Sequence, residues 1–208
     1  MKIMIAIPCM DFVATPFMKS LLGLQYEPGN TYHYKVCESS LIYDARNQLC
    51  KAAIDEGFDR ITWFDSDMTF EPDIITRLSA RLDEGNDFVT GLYFSRREES
   101  FPLIYEKVYQ AEAGRKVSTK SIPYRDYPKD SLFEVAGCGF GGCMMNVSMI
   151  EDMFRFGGPP FSPRMGFGED LSFCLLARES GYEIYCDSSV KLGHVAHRIV
   201  TEKDYKPC

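Results

Sequence analysis

The sequence predicts an α/β protein with a mostly parallel central sheet flanked by helices. Short apolar runs rich in bulky and β-branched residues alternate with segments whose apolar residues recur at helical spacing. The connections between these segments are short, which favours crossovers between parallel strands. The chain has 208 residues, 45% of them hydrophobic, which is enough for one buried core but little for two. We therefore expect a single domain over residues 1–208.

The first half of the chain repeats a unit of one strand and one helix. The first strand is a short apolar run ended by a proline, as in a strand that is buried on both faces. Thr15 and Pro16 offer a cap and a first-turn proline to the first helix, and Ser39 or Ser40 offers a cap to the second. In order, we expect a strand over 2–8, a helix over 15–23, a strand over 34–37, a helix over 40–57, a strand over 60–64, a helix over 72–85 and a strand over 87–92.

The second half is less regular. From about residue 101 to residue 135 the sequence breaks into short extended pieces with several prolines, which predicts hairpins or a mobile loop. The glycine run over 137–142 and the Gly-Pro segment over 157–161 predict irregular backbone that approaches another part of the molecule closely. We expect the core to end with a helix over 168–181 and extended segments over 183–186 and 190–194.

Composition and charge exclude several classes of protein. The net charge is −7 and no basic block occurs, so nucleic acid and anionic lipid are disfavoured as partners. No apolar run is long enough for a membrane span and no signal peptide opens the chain, so we expect a cytoplasmic protein. Without an export signal, the eight cysteines are expected to be reduced and mostly buried. Cys138 and Cys143 lack a matching second pair, which makes buried thiols a better interpretation than a zinc site.

An Asp-x-Asp pair, Asp65 and Asp67, follows the third predicted strand directly. Two carboxylates at this spacing can converge on a divalent cation such as Mg²⁺ or Mn²⁺ through oxygen ligands. The alternative is a simple turn in which Asp65 caps the loop and Asp67 is solvated. Ligands of parallel α/β sheets collect outside the carboxyl ends of the strands, so the position favours a metal-bridged diphosphate.

Two further groups are candidates for chemistry. His194 and His197 lie three residues apart, and in extended chain they point to opposite faces, so only one is expected to be a ligand; each can also be structural. Glu169 and Asp170 open a predicted helix, where acidic residues stabilise the positive end, and one of them can also serve as a general base.

The basic candidates also have two interpretations. Arg46, next to Asn47, lies on a predicted helix and can be part of a solvated polar face. Arg96 and Arg97 can hold a phosphate or a sugar, or form ordinary surface ion pairs. The glycine run lacks the spacing of a Rossmann fingerprint or a P-loop, so we do not predict nucleotide binding there.

Taken together, the motifs resemble glycosyltransferases of the GT-A fold, similar to the inverting family-two type and its small phage and bacterial relatives. The resemblance covers nearly the whole chain and depends on the order and spacing of its parts. Its carriers are the opening strand over 3–8, Asp-Ala-Arg-Asn at 44–47, Trp-Phe-Asp-Ser-Asp-Met at 63–68, Gly-Leu-Tyr-Phe-Ser-Arg at 91–96, the glycine run at 137–142, Gly-Glu-Asp-Leu-Ser-Phe-Cys at 168–174 and Leu-Gly-His at 192–194.

The resemblance implies a role for each matching residue. Asp65 and Asp67 would hold a Mn²⁺ or Mg²⁺ ion that bridges the diphosphate of a nucleotide sugar, with UDP-sugars favoured, and His194 would be a further metal ligand. Asp67 is the expected direct ligand and Asp65 lies nearer the ribose. Asp170, next to Glu169, is the expected general base of an inverting displacement. The remaining donor-binding residues implied, some of them bordering the base, are Pro8, Cys9, Asp44, Arg46, Ser66 and Arg96.

The resemblance divides the chain into a nucleotide-binding half over 1–95 and an acceptor and catalytic half over 96–208. A non-catalytic nucleotide-sugar or saccharide binder of the same fold and a sugar nucleotidyltransferase are the alternatives. The second usually carries a glycine-rich basic loop after its first strand, and residues 8–12 have none. The sequence leaves open the nucleotide, the sugar, the hydroxyl acceptor, retention against inversion, the oligomeric state and the role of residues 106–129.

Overall fold

The computed structural model describes residues 1–97, 99–113, 116–164 and 166–196, so His197 and Cys208 lie outside the described residues. Helices and strands alternate along most of the chain. In order, they are β1 (Lys2–Cys9), α1 (Thr15–Leu22), β2 (Thr31–Glu38), α2 (Ile42–Asp55), β3 (Arg60–Phe64), β4 (Met68–Phe70), α3 (Ile74–Asp83), β5 (Phe88–Leu92), β6 (Ile104–Ala113), β7 (Lys116–Pro123), β8 (Leu132–Val135), β9 (Gly137–Cys138), β10 (Gly142–Asn146), α4 (Val147–Gly157), α5 (Glu169–Glu179) and β11 (Ile184–His194).

The central sheet has the order β2-β1-β3-β10-β5-β11-β4, and β8 also pairs with β11. Within the described residues, β1, β2, β3, β5 and β11 run in one direction and β4, β8 and β10 run in the other. The mostly parallel α/β sheet predicted from the sequence is therefore confirmed. Strand β10 is the departure from simple alternation: Gly142 pairs with Phe64, the last residue of β3, so β10 starts at the carboxyl edge and runs back between β3 and β5.

Helices cover both faces of the sheet, and β1 shows how the core is divided. Ile3, Ile5 and Ile7 point to the face that α1 and α3 cover, whereas Met4 and Ala6 point to the face that α2, α4 and α5 cover. All five side chains are buried, as expected for a strand inside a parallel sheet. The continuous apolar run in the sequence reflects burial on both sides.

The predicted helix caps are wrong, although the helices themselves are present. Thr15 lies inside α1, with Ala14 at the N-cap position, and α2 has Leu41 at its N-cap; neither end has a side-chain cap. The Ser39 hydroxyl instead accepts a hydrogen bond from the Leu41 N–H at 3.1 Å. This short-range bond organises the loop that precedes the helix, so the serine is not available to the helix end.

The irregular stretch near residues 101–135 contains the predicted hairpin. Strands β6 and β7 pair antiparallel, and β9 extends them into a separate three-stranded sheet. The two extended segments predicted at the end of the core are one strand, β11, whose register shifts between Asp187 and Lys191. Strand β4 and helix α4 have no counterpart in the sequence-based prediction, because β4 is very short and α4 continues the apolar run of β10 without a break.

Seven cysteines lie in the described part of the chain as free thiols, and all but Cys37 are buried. Cys138 and Cys174 are neighbours in the core, where the Cys138 N–H donates to the Cys174 sulfur at 3.4 Å. Among the helices of the described residues, none combines the length and the apolar character that crossing a membrane requires.

Candidate active site

A cleft of about 490 Å³ opens at the carboxyl ends of β1, β3, β5 and β11. Its size is in the range of small-molecule sites, and its position is where parallel α/β sheets bind ligands. Of the residues to which the resemblance gives a role, all but one line it: Pro8, Cys9, Arg46, Asp65, Ser66, Asp67, Arg96, Glu169, Asp170 and His194. The exception is Asp44, whose carboxylate accepts a hydrogen bond from Gln48 Nε2 at 2.7 Å on α2.

A larger depression of about 630 Å³ lies between α2 and α4, away from these residues. Its charged side chains pair with one another along each helix, Lys51 with Asp55 at 2.7 Å and Arg155 with Glu151 at 3.4 Å. Such pairs are ordinary features of solvated helix surfaces. The smaller cleft, with its convergent carboxylates and imidazole, is the better candidate for chemistry.

Strand β4 brings His194 to the Asp-x-Asp pair. It pairs antiparallel with the end of β11, so Met68 lies opposite His194, and the Val195 N–H donates to the Asp67 carbonyl oxygen at 2.8 Å. The close approach requires Gly193, because a Cβ there would meet the Thr69 hydroxyl. A three-residue strand thus joins two motifs that are far apart in the sequence.

Two side chains approach one carboxylate oxygen, Oδ2 of Asp67. His194 Nε2 lies 3.6 Å from it and Arg96 Nη1 lies 2.7 Å from it. Although burial raises the pKa of Asp67, the contact with His194 and the charge of Arg96 outweigh it and hold that pKa below its usual value. The contact with Asp67 in turn raises the pKa of His194, against the opposing effect of burial. Asp67 is therefore an anion that attracts cations at neutral pH.

The orientation of His194 suits a metal ligand. Its Nδ1 lies 3.0 Å from the Phe94 carbonyl oxygen, so in the neutral tautomer Nδ1–H donates to Phe94 and the Nε2 lone pair faces Asp67. Within the described residues, no group of three or more His, Cys, Asp or Glu side chains is placed to hold a metal ion. The carboxylate of Asp67 and the imidazole of His194 could therefore supply two ligands to a divalent cation.

Arg46 lies at the base of the cleft with only 2% of its surface exposed. Its Nη2 donates to Asp65 Oδ1 at 2.9 Å and lies 3.5 Å from Asp170 Oδ1, while its Nε lies 3.8 Å from Glu169 Oε1. Although burial lowers the pKa of Arg46, the three carboxylates outweigh it and raise that pKa above the usual value. The arginine is a permanent buried cation.

Helix α5 begins with Glu169 and Asp170 at the wall of the cleft. Asp170 Oδ1 is fully buried, whereas the side chain as a whole is 32% exposed, so the exposed area lies on the rest of the carboxyl group and its stem. Burial is the largest cause that raises the pKa of Asp170 above 3.8, and Glu169 and Asp65 add to it against the lowering effect of Arg46. A raised pKa makes this carboxylate a stronger base than an ordinary aspartate.

Tyr93 is a site residue that sequence reasoning missed. It follows β5, its hydroxyl accepts a hydrogen bond from the Gly141 N–H at 2.9 Å, and its ring lies 5.7 Å from that of His194. A Cβ at Gly139 would collide with the Tyr93 hydroxyl, which explains the close approach predicted for the glycine run. An aromatic residue directly after a strand, at the same sheet edge as Asp65, was the signal available in the sequence.

The sequence model of the family described as "Glycosyl transferase family 2" matches residues 28–154. This match spans more than half of the chain. The chain belongs to glycosyl transferase family 2. Family membership confirms the resemblance seen in the sequence and makes the protein a glycosyltransferase that uses a nucleotide-sugar donor.

Solved structures with the GT-A fold are similar to this family-two chain. A197 from STIV has a TM-score of 0.66 at 20% sequence identity, and the match covers 95% of this chain and 87% of that one. GalNAc-T7, solved with UDP, GalNAc and Mn²⁺, has a TM-score of 0.63 at 11% identity, and the match covers 95% of this chain but only 43% of that one. A search of curated proteins finds no match. At these identities the structural likeness supports the fold alone.

Proposed function

We propose that this protein is a divalent-cation-dependent, inverting glycosyltransferase that transfers a sugar from a nucleotide-diphosphate sugar to a hydroxyl group. The observation that carries the proposal is the convergence of Asp67, His194 and Asp170 in one cleft. The first two form a cation-binding pair, and the third is a carboxylate with a raised pKa. Transfer of this kind needs a stabiliser for the leaving group and a base for the attacking hydroxyl.

The donor occupies the side of the cleft formed by the ends of β1 and β3. Pro8, Cys9 and Ser66 line it beside the carboxylates and leave room for a base and a ribose. Arg96, half exposed at the rim, can turn its guanidinium from Asp67 to a phosphate oxygen. Uridine diphosphate is the nucleotide to test first, because GalNAc-T7, which shares the fold, was solved with UDP.

Asp67 and His194 are the residues that would hold a divalent cation, with Asp65 beside them. Bound there, Mn²⁺ or Mg²⁺ would supply positive charge that stabilises the diphosphate as it leaves the anomeric carbon. The chain's own contribution is to keep Asp67 ionised and to fix the tautomer of His194 through the Phe94 carbonyl. Both atoms then face the same point before any ligand arrives.

Asp170 is the proposed general base. Arg46 faces its buried Oδ1, which leaves the more exposed part of the carboxyl group to accept a proton from the acceptor hydroxyl. Attack from this side, opposite the departing diphosphate, inverts the anomeric carbon. On this proposal the donor side draws on residues 1–95 and the acceptor side on residues 96–208, with Arg96 and His194 reaching back across the cleft.

The test is a screen of nucleotide sugars for hydrolysis in the presence and absence of Mn²⁺, which requires no knowledge of the acceptor. We expect UDP release that EDTA abolishes and that Asp67→Asn and Asp170→Asn each reduce by at least about 10²-fold. NMR of the released sugar gives its anomeric configuration, and retention would contradict the inverting mechanism. Release of a sugar 1-phosphate instead of UDP would favour a nucleotidyltransferase.

A further inference from the structure

Arg46 occupies an unusual position, because a single buried cation serves carboxylates from two different parts of the fold. Asp65 follows β3, whereas Glu169 and Asp170 open α5. Its Nη2 atom lies within 3.5 Å of both Asp65 Oδ1 and Asp170 Oδ1. Within the described residues, no hydrogen bond links the two aspartates directly, and this guanidinium is the cation that both of them contact.

The guanidinium is enclosed by aromatic rings and cannot move far. Its carbon lies 5.7 Å from the ring of Trp63, 5.2 Å from that of Phe140 and 5.5 Å from that of Phe161. Asn47, the next residue on α2, accepts a hydrogen bond from the Phe161 N–H at 3.0 Å and so fixes one wall of the enclosure. Aromatic faces attract a guanidinium and hold it in place.

The hydrogen bonds of Arg46 are incomplete. Within the described residues, Nε and Nη1 have no acceptor, and Asp170 Oδ1 has no donor, although all three atoms are fully buried. Unpaired buried polar atoms cost free energy and are rare unless they serve a purpose. A packing role alone does not require a charged side chain here, since a methionine fills similar space among aromatic rings without this cost.

We infer that Arg46 is a positioning residue that holds Asp65, on the donor side, and Asp170, on the acceptor side, around one buried guanidinium, so that the two halves of the active site form together. The inference rests on the proposed function for the assignment of the two sides. Arg46 itself is too buried to react. Its role is to fix the buried oxygen of Asp170 and to offset the charge of the carboxylates.

The electrostatic part of this role can be measured without any substrate. The groups that face Asp170 are the charged Arg46, Glu169 and Asp65 together with Tyr93, Tyr105, Cys138 and Cys143. The pKa values of the two tyrosines and two cysteines are raised, chiefly by burial, so these groups stay neutral up to about pH 9. At a pH above the pKa of Asp170, the positive charge of Arg46 is therefore what limits the free-energy cost of ionising the Asp170 carboxyl.

The experiment is thermal unfolding of wild type, Arg46→Met, Arg46→Lys, Asp170→Asn and the Arg46→Met, Asp170→Asn double variant between pH 5 and pH 9. The part of the Tm deficit of Arg46→Met that depends on Asp170 should be constant below about pH 8, where this carboxyl is protonated in both folded proteins, and should grow between pH 8 and pH 9, where the uncompensated Asp170 ionises at a greater cost. In the Asp170→Asn background this growth should disappear, and Arg46→Lys, which keeps the charge, should not show it. A deficit equal at every pH in both backgrounds would mean that Arg46 only fills space, and would overturn the inference.

A kinetic measurement tests whether Arg46 positions Asp170. It can be made even if Arg46→Met does not fold, because it uses Arg46→Lys. With the nucleotide sugar that the hydrolysis screen identifies, Arg46→Lys should lower kcat by about 10²-fold, the cost of a misplacement near 1 Å, with little change in KM. An unchanged kcat in Arg46→Lys would refute the positioning role. Failure of the proposed function gives a different result: Asp170→Asn would then retain full hydrolysis, whatever Arg46→Lys does.

Discussion

The carboxylate of Asp67 and the imidazole of His194, which are far apart in the sequence, lie with Oδ2 and Nε2 3.6 Å from each other. The Phe94 carbonyl holds the other ring nitrogen of His194, so the pair is oriented toward a common point. This arrangement predicts that both residues are needed to bind a divalent cation.

Asp67→Asn and His194→Ala should each weaken binding of Mn²⁺ in the presence of UDP by at least about tenfold, since each removes one of two protein ligands. Titration calorimetry with Mn²⁺ in the presence of UDP measures this loss of affinity. The controls are Asp126→Asn and His33→Ala. Asp126 is exposed in the loop between β7 and β8, and His33 is exposed on the edge strand β2. Equal affinity in wild type and His194→Ala would remove His194 from the metal site.

Arg96 competes with a cation for Asp67, because its Nη1 lies 2.7 Å from the same Oδ2. Arg96→Gln should therefore raise the affinity for Mn²⁺ alone, by less than about fivefold, the effect of an exposed ion pair worth at most ~1 kcal/mol. With UDP present, Arg96→Gln should instead lower the affinity for Mn²⁺, because the diphosphate loses a positively charged partner. Electron paramagnetic resonance of free Mn²⁺ measures both affinities.

Arg97→Gln is the matched control for that comparison, because Arg97 lies over the ring of Phe101, at 5.6 Å, instead of against Asp67. Arg97→Gln should not change the affinity for Mn²⁺ that is measured without UDP. If Arg96→Gln and Arg97→Gln behave alike, the contact between Arg96 and Asp67 does not regulate access to the cation site.

The rate of donor hydrolysis should rise with pH from the acidic side, since only the ionised Asp170 can accept a proton. Burial raises the pKa of this group, and neighbouring Glu169 raises it further. Glu169→Gln removes one negative charge and should shift the rising limb of kcat/KM to lower pH. If the rising limb of kcat/KM lies at the same pH in Glu169→Gln as in wild type, a group other than Asp170 controls the rate.

The raised pKa of Asp170 also has a consequence for stability. A carboxyl group whose pKa is higher in the folded state binds more protons there, so stability falls as the pH rises from the unfolded value, near 4, toward the folded one. Asp170→Asn abolishes this loss. Its Tm relative to wild type should therefore be higher at pH 8 than at pH 4, which differential scanning calorimetry can measure; a constant difference would contradict the shift.

Gly139 is required because a side chain there would occupy the place of the Tyr93 hydroxyl. Gly139→Ala should destabilise the protein by about 1–3 kcal/mol, the usual cost of overpacking, and should also lower hydrolysis because Asp170 lies nearby. Chemical denaturation measures the first effect. Gly168→Ala is the control: a Cβ at Gly168 meets nothing within 4 Å, so it should cost less than about 1 kcal/mol.

The sequence by itself determined the order of the main elements and most residues of the candidate site. Strand β3 and the aspartates that follow it were visible because apolar patterning and charge change at the same residue, and both are local properties of the chain. The rule that ligands bind outside the carboxyl ends of parallel strands then placed Asp65 and Asp67 at a ligand-binding edge. His194 was added to them only by the resemblance to GT-A glycosyltransferases. Local helix ends were predicted less well, because Ser39 bonds within its own loop.

Only the tertiary structure decided how these residues are related. Nothing in the apolar pattern distinguishes Arg46 from a solvated helix residue, yet it is buried beneath three aromatic rings that come from β3, the glycine run and the loop after α4. The pairing of β4 with β11, which carries His194 to Asp67, depends on a three-residue strand that is too short to leave a periodic signal. Periodicity reports which face of a single element is buried. The placement of Asp65, Glu169 and Asp170 around the guanidinium of Arg46 depends instead on contacts between distant elements, which no local pattern encodes.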